Sequence, residues 1–480
     1  MSQFPEVSGP AAPAVHRKSA TSHGFYPPAP NPLSPVVSLM RLIWQGDGDL
    51  LSLLPREAYA MPIGPLGYSR RQIVIVNDPR LFRPILADTD ERFPKSDLMV
   101  DALRPLVGNS IFVSGGADWQ RQRRMIDPAF THMRIQDAFG AMQAGVDAFE
   151  QVLLDRAQRN ESFPLDVAMS HLTADIICRT VFSTSLEGEI SRRVFEAFTR
   201  FESSIAQVRW KTLIFDPAWT QVPPTADVLA ACNEIRTCLG SLLDTHFQPR
   251  ETPWNDIASE MIAAVDPVDG VGFTRDELLD QLGVMFLAGH ETTASALTWA
   301  FYIISQHPEV ARRIRQEVQE VCGSDTPRFE HIRGLTYTRN VFRETLRLYP
   351  PITFLPRVSA ENTSIDGYKI KRGAMVMISP WTIHRNPAYW PDPHRFDPDR
   401  FDPAQESNQV AGAYLPFGLG PRVCVGAAFA ATEASLILAR LCTRFDFETS
   451  TESRIRPIAR MTTRPNQQIN ARARVHHVHQ

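Results

Sequence analysis

The segment from Thr274 to His307 constrains the fold more than any other part of the chain. It is apolar on nearly every face from Leu282 to Leu287 and again from Ala296 to Ile304, which predicts one long helix crossing the interior. Thr274, with Glu277 three positions on, is a helix-start signature, and Pro308 stops the helix after His307. Against this apolar background Gly289, His290, Glu291, Thr292 and Thr293 stand out midway. Polar groups at such a depth must be paired, or they must serve something.

Helical periodicity runs from about Trp119 to Gln306, broken by Pro-containing loops at Asp216-Pro217 and Val222-Pro223-Pro224. The β-branched run Gln72 to Val76, closed by Asn77-Asp78-Pro79, predicts a strand near the start of the folded part. Past Pro350 the texture changes: Tyr368 to Ile370 and Ala374 to Ile378 alternate like strands of a small sheet. A Pro- and Asp-rich loop from Pro391 to Pro403 then leads through a Gly-rich turn into a last helix, about Ala427 to Arg444. The expected fold class is mainly α with a small β region. Eight of the 38 prolines fall in residues 1–35, so an ill-ordered arm is expected there, followed by a single domain over 36–480.

The charge balance, 50 basic against 53 acidic side chains, gives no reason to expect nucleic acid as a partner. Six cysteines lie scattered without a C-x-x-C pair, as in a reducing compartment. The N-terminal segment lacks the basic stretch and apolar run of a signal peptide, and no apolar run reaches the ~18 residues of a membrane span. A soluble, cytoplasmic protein with no membrane anchor is the expectation.

One of those cysteines is set apart by its surroundings. Cys424 stands among Gly418, Gly420 and Gly426, directly before the last helix. Small residues let backbone approach a flat cofactor, and a helix N-terminus favours a thiolate. Arg422, two positions earlier, offers a fixed cation for a carboxylate.

Phe417, Gly420, Arg422, Cys424 and Gly426 match F-x-x-G-x-R-x-C-x-G at every fixed position, and here the chain resembles the cytochrome P450 superfamily. The resemblance implies the P450 fold, haem b as cofactor, and Cys424 as the axial thiolate on its iron. Phe417, Gly418 and Gly426 then shape the haem-binding turn. Trp119 and Arg123 match the family's W-x-x-x-R, which implies that both reach a haem propionate; Arg357 stands where relatives place another such cation. Glu344 and Arg347 match E-x-x-R, an ordinary surface pair if taken alone. With Arg400 from a P-x-x-F-x-P-x-R-F loop they are implied to form a buried structural triad that locks the cysteine loop.

Ala288, Gly289, Glu291, Thr292 and Thr293 match A/G-G-x-D/E-T-T/S. The resemblance implies that Gly289 lets the helix pass close to the haem. Ala288 then borders the cofactor, and Thr292 and Glu291 deliver protons during O2 cleavage. The implied reaction is monooxygenation: one atom of O2 enters a hydrophobic small molecule and the other leaves as water. Electrons come from a separate ferredoxin or flavodoxin-type donor with its reductase, so NAD(P)H is used only indirectly. Arg121 and Arg124 are expected on a basic docking face for that donor.

Candidate pocket linings are Leu98 to Phe112, Ala288, Ile352 to Leu355 with Phe354 prominent, and the Met461-Thr462 turn. The alternatives are a haem-thiolate isomerase or peroxygenase, and a haem protein that binds a ligand without turnover; the Glu291-Thr292 pair speaks for O2 chemistry. A zinc-hydrolase reading of His290-Glu291 fails because Ala294 stands where the second histidine of H-E-x-x-H belongs. His476, His477 and His479 read as an exposed tail rather than a metal tract.

Overall fold

The structure is a computed structural model that describes residues 24–476 apart from 35, 39, 41–48, 67–68, 90, 206–222, 407–408 and 451–454. The first proline loop and the tail histidines His477 and His479 lie outside the described residues. The principal helices are α1 (Pro79–Ala87), α2 (Asp97–Val107), α3 (Gly116–Ile126), α4 (His132–Gln158), α5 (Leu165–Phe182), α6 (Glu189–Ile205), α7 (Ala226–His246), α8 (Ile257–Ala263), α9 (Arg275–Gln306), α10 (Pro308–Cys322), α11 (Thr336–Leu348) and α12 (Ala427–Arg444).

Helix α9 is the predicted central helix, 32 residues long and so about 48 Å. Its start is fixed reciprocally: Glu277 N donates to Thr274 Oγ1 at 3.2 Å, and Thr274 N donates to Glu277 Oε2 at 2.8 Å. Its apolar faces pack on α5 over much of their length and on α7 and α11 at either side. Within that core Trp299 stacks on Tyr349, ring centroids 4.0 Å apart.

The β region is small and lies at the edges of the helical body. Strands β1 (Ile63–Pro65) and β2 (Ile73–Val76) pair antiparallel, with Ile63 opposite Val76. Far along the chain, β4 (Leu355–Val358) and β7 (Met375–Ile378) complete that sheet in the order β1-β2-β7-β4, with β2 and β7 parallel. The hairpin β5 (Thr363–Ile365) and β6 (Tyr368–Ile370) stands between β4 and β7 in sequence. Strand β3 (Phe163–Pro164) adds to a C-terminal ladder of β8 (Phe445–Thr449) and β11 (Asn470–Val475).

A hairpin, β9 (Pro457–Ala459) and β10 (Thr463–Pro465), is held to α9 at its turn: Ser295 Oγ and Trp299 Nε1 both donate to Thr463 O, at 2.7 and 2.9 Å. Contacts with the body begin ahead of the expected boundary at Val36. Phe25 bridges Phe396, and Tyr349 Oη donates to Pro28 O at 2.6 Å, because Tyr349 is buried and its hydroxyl needs an acceptor.

Candidate functional site

Cys424 is solvent-accessible, whereas the other five cysteines are buried. Its loop is shaped by glycine at two positions of positive φ, Gly418 and Gly420, each at +78°. A side chain at Gly420 would also meet the Leu86 carbonyl oxygen of α1 at 2.5 Å, so only glycine fits there. Cys424 N donates to Phe417 O at 2.9 Å, which closes the turn and explains the phenylalanine position through its backbone. Burial pushes the thiol above its ordinary range, opposed by the Gly426 N–H and the charge of Arg123. The expected bias toward a thiolate is therefore not supplied by the protein alone; it takes a coordinated cation to deprotonate this sulfur outright.

Next to the loop lies a set of buried cations. Arg422 stacks over the Trp119 ring at 4.2 Å and donates to Ser114 O at 3.3 Å. Burial lowers its guanidinium to about 10. Burial likewise lowers Arg357. Its Nη1 reaches only Pro356 O, and its buried Nε has no hydrogen-bond partner among the described residues. Lys95, which the sequence reading missed, lies beside Arg357 across an isolated backbone bridge. Its Nζ donates to the carbonyls of Ile111, Phe112 and Ser114 at 3.0, 2.5 and 3.2 Å. Burial, helped by Arg357, lowers this ammonium to about 7. Neither Lys95 nor Arg357 forms an ion pair among the described residues, so the cluster fits an anionic ligand such as the paired carboxylates of a haem.

Arg123 does not join this cluster. Its Nη1 donates to Val423 O at 2.7 Å and its Nε pairs with Asp127 at 2.6 Å, so it braces the cysteine loop instead of reaching beside Trp119. Arg121 and Arg124, expected on a docking face, are also engaged within the chain. Arg121 pairs with Glu277 and Arg124 with Asp266, each at 2.7 Å.

The triad of Glu344, Arg347 and Arg400 is brought together. Arg347 Nε and Nη2 donate to the two Glu344 oxygens at 2.6 and 2.8 Å, and Arg400 Nε lies 3.4 Å from Oε1. Arg347 also donates to the carbonyls of His384, Pro393 and Arg395, while Arg400 donates to those of Pro391 and Asp392. Two guanidiniums thus pin a loop of otherwise irregular backbone to α11.

On α9 the expected acid and hydroxyl part company. Thr292 Oγ1 donates to Ala288 O at 2.7 Å. The Glu291 carboxylate turns to the β9–β10 hairpin, where it accepts from Thr462 Oγ1 at 2.6 Å and from both Arg464 Nε, at 2.7 Å, and Arg464 Nη2. Burial pushes Glu291 up, but the charge and hydrogen bonds of Arg464 together with Glu202 and His290 outweigh it, and the carboxyl sits below its usual range. Thr462, offered as pocket lining, has its hydroxyl committed here. Gly289 is needed for another reason than expected: a side chain there would meet Ile177 Cδ1 of α5 at 2.4 Å. Its smallness serves helix packing.

An accessible thiol on a glycine turn, braced by Arg123 and flanked by largely buried cations within a mainly α body, defines a haem-thiolate protein. The family model described as Cytochrome P450 matches residues 28–471. Cyclooctatin synthase of Streptomyces melanosporofaciens is 31% identical over 468 residues, covering 95% of this chain and 96% of its own length. Pentalenene oxygenase of Streptomyces avermitilis is 30% identical, over 80% of this chain and 84% of its own. The crystal structure of a cytochrome P450, CYP102L1, superposes with a TM-score of 0.73 at 25% identity, covering 84% of this chain and 89% of that one. The chain belongs to the cytochrome P450 family and is accordingly a haem- and O2-dependent monooxygenase. Among the described residues no helix is long and apolar enough to cross a membrane.

Proposed function

We propose that the chain hydroxylates a compact cyclic terpenoid. The observation that carries this reading is the likeness, over most of the chain, to relatives named pentalenene oxygenase and cyclooctat-9-en-7-ol 5-monooxygenase. The segments offered as pocket lining support it, since they present half-buried apolar side chains at Met99, Val100, Ile111, Phe112, Phe354 and Met461. An apolar surround with few polar anchors suits a hydrocarbon skeleton.

When bound, the haem supplies O2 activation and oxygen transfer to the substrate. In this reading Cys424 would bind its iron, and Trp119, Arg422, Arg357 and Lys95 would hold its propionates. Arg347 and Arg400 keep the cysteine loop in place through Glu344. Thr292 Oγ1 holds a proton beside the reacting face, and Glu291 is the acid that restores it. Two electrons arrive from a separate ferredoxin or flavodoxin-type protein, reduced in turn by an NAD(P)H-dependent reductase, and the chain acts in the cytoplasm.

The test is a binding panel of pentalenene, a steroid and a fatty acid, read as displacement of the haem absorption band and followed by product analysis. The expected result is a band shift and hydroxylation with the cyclic terpene. A preference for the fatty acid or the steroid overturns the assignment.

A further inference from the structure

Helix α6 brings a second carboxyl group, Glu202, to the Glu291 pair. Arg464 Nη2 donates to Glu202 Oε2 at 2.7 Å while the same guanidinium binds Glu291. One oxygen of each carboxyl group, with a His290 ring nitrogen, lies within 4.8 Å of the others. Glu202 Oε1 is buried and has no hydrogen-bond partner among the described residues.

Among the described residues the charges facing this cluster are few. Arg464 comes from β10, Glu291 and His290 from α9, and Asp166 from the start of α5. His290 donates from Nδ1 to Phe286 O at 2.8 Å amid the rings of Phe195, Phe198 and Phe286, and burial keeps it neutral. One cation therefore serves two carboxyls, which cannot both ionise at such range without cost. Burial, then the charge of Glu291, pushes Glu202 well above the carboxylate range. A metal ion is disfavoured because Arg464 already supplies the positive charge.

We infer that Glu202 is the proton-bearing partner of Glu291, a carboxylic acid on α6 that passes its proton to the Glu291 carboxylate and takes a replacement from solvent. The transfer breaks one O–H bond at Glu202 and forms one at Glu291. The negative charge moves the other way, and Arg464 touches both oxygens that carry it. No net charge is buried or released. The direction follows from exposure: the Glu202 side chain is 11% exposed and that of Glu291 2%. The inference rests on the monooxygenase reading of Thr292 and Glu291, and it makes Glu202 a positioning residue that acts through Glu291.

Infrared spectra of the holoprotein in H2O and D2O test the proton's location without turnover. A protonated-carboxyl band that shifts in D2O should vanish in Glu202→Gln, persist in Glu202→Asp, and be separable from any such band lost on Glu433→Gln, which removes a second buried carboxyl, on α12, with no hydrogen-bond partner among the described residues. Turnover tests the role. With electrons from ferredoxin and its reductase, the share of consumed O2 released as hydrogen peroxide should rise about tenfold in Glu202→Gln, less than the ~10²–10⁴-fold of an acid acting directly on the reacting group, because Glu202 acts through Glu291. The solvent isotope effect on O2 uptake should rise with it, and Glu202→Asp should restore both. An unchanged infrared spectrum, or wild-type peroxide release and isotope effect in Glu202→Gln, overturns the inference. Loss of the thiolate-type carbon monoxide band from the wild type itself would instead sink the underlying reading, and the inference with it.

Discussion

Replacing Glu344 by Gln tests whether the charged triad carries the cysteine loop. Both Glu344 and Arg347 are 0% exposed, so the substitution leaves a guanidinium buried with its counter-charge gone. The amide keeps the volume but turns an N–H toward donors, either Arg347 or the Asp397 N–H that Glu344 accepts at 2.8 Å. Breaking one side of a buried pair costs about 3–5 kcal/mol. Unfolding entropy near ~2.1 cal/mol/K per residue amounts to ~1 kcal/mol/K for a chain of 480 residues, so Tm should fall by about 3–5 °C. Haem content should fall as well, because Arg347 and Arg400 hold the carbonyls of Pro391 to Arg395. Urea unfolding followed by tryptophan fluorescence gives the free-energy change, with the exposed Glu309–Arg312 pair as a control expected to show none. A Glu344→Gln protein within about 1 kcal/mol of wild type, with full haem, would refute the reasoning.

Other outcomes follow from single contacts. Gly289→Ala should destabilise the protein by about 1–3 kcal/mol through overpacking against Ile177, and by less in an Ile177→Val background, which lacks the Cδ1 methyl; an equal cost in both backgrounds in thermal melts contradicts the packing account. His246 and Asp256, side chains 1% exposed and 2.9 Å apart, form a buried pair stacked on Trp254. Burial alone would lower His246 and raise Asp256, but their mutual hydrogen bond and charge, with hydrogen bonds to Leu242 for the imidazole and to Ser183 and Ser259 for the carboxyl, together reverse both directions. The raised imidazole contributes stability that is fully present below its unfolded value and lost as pH rises through its folded one; the depressed carboxyl's share is lost only on strong acidification. His246→Gln should therefore cost more at pH 5.5 than at pH 9 in denaturant titrations, and an equal cost at both would contradict the pairing.

Local signals explain what the sequence disclosed. The ends of α9 are written in Thr274, Glu277 and Pro308, and α12 spans Ala427–Arg444 as its periodicity implies. The E-x-x-R pair is adjacent on one helix, so its geometry follows from spacing. Partnerships across long separations were not legible. Arg464 lies more than 170 residues from Glu291, and nothing near either names the other. Arg123 has the family spacing from Trp119, yet Asp127 one turn further on captures it. Lys95 left one faint sign: it is among only five lysines against 45 arginines, retained where three carbonyls converge.

The hairpin that carries Arg464 has a bearing on biosynthesis. Cys424 follows α1, and Arg464 follows α6 and α9, so each is synthesised after the helices it locks onto. The glycine turn must seat under Leu86, and the guanidinium must find carboxylates on two helices made long before. Until Arg464 docks, the acids on α6 and α9 lack the one cation that joins them among the described residues, so this part of the body is completed only when the β9–β10 hairpin closes on it.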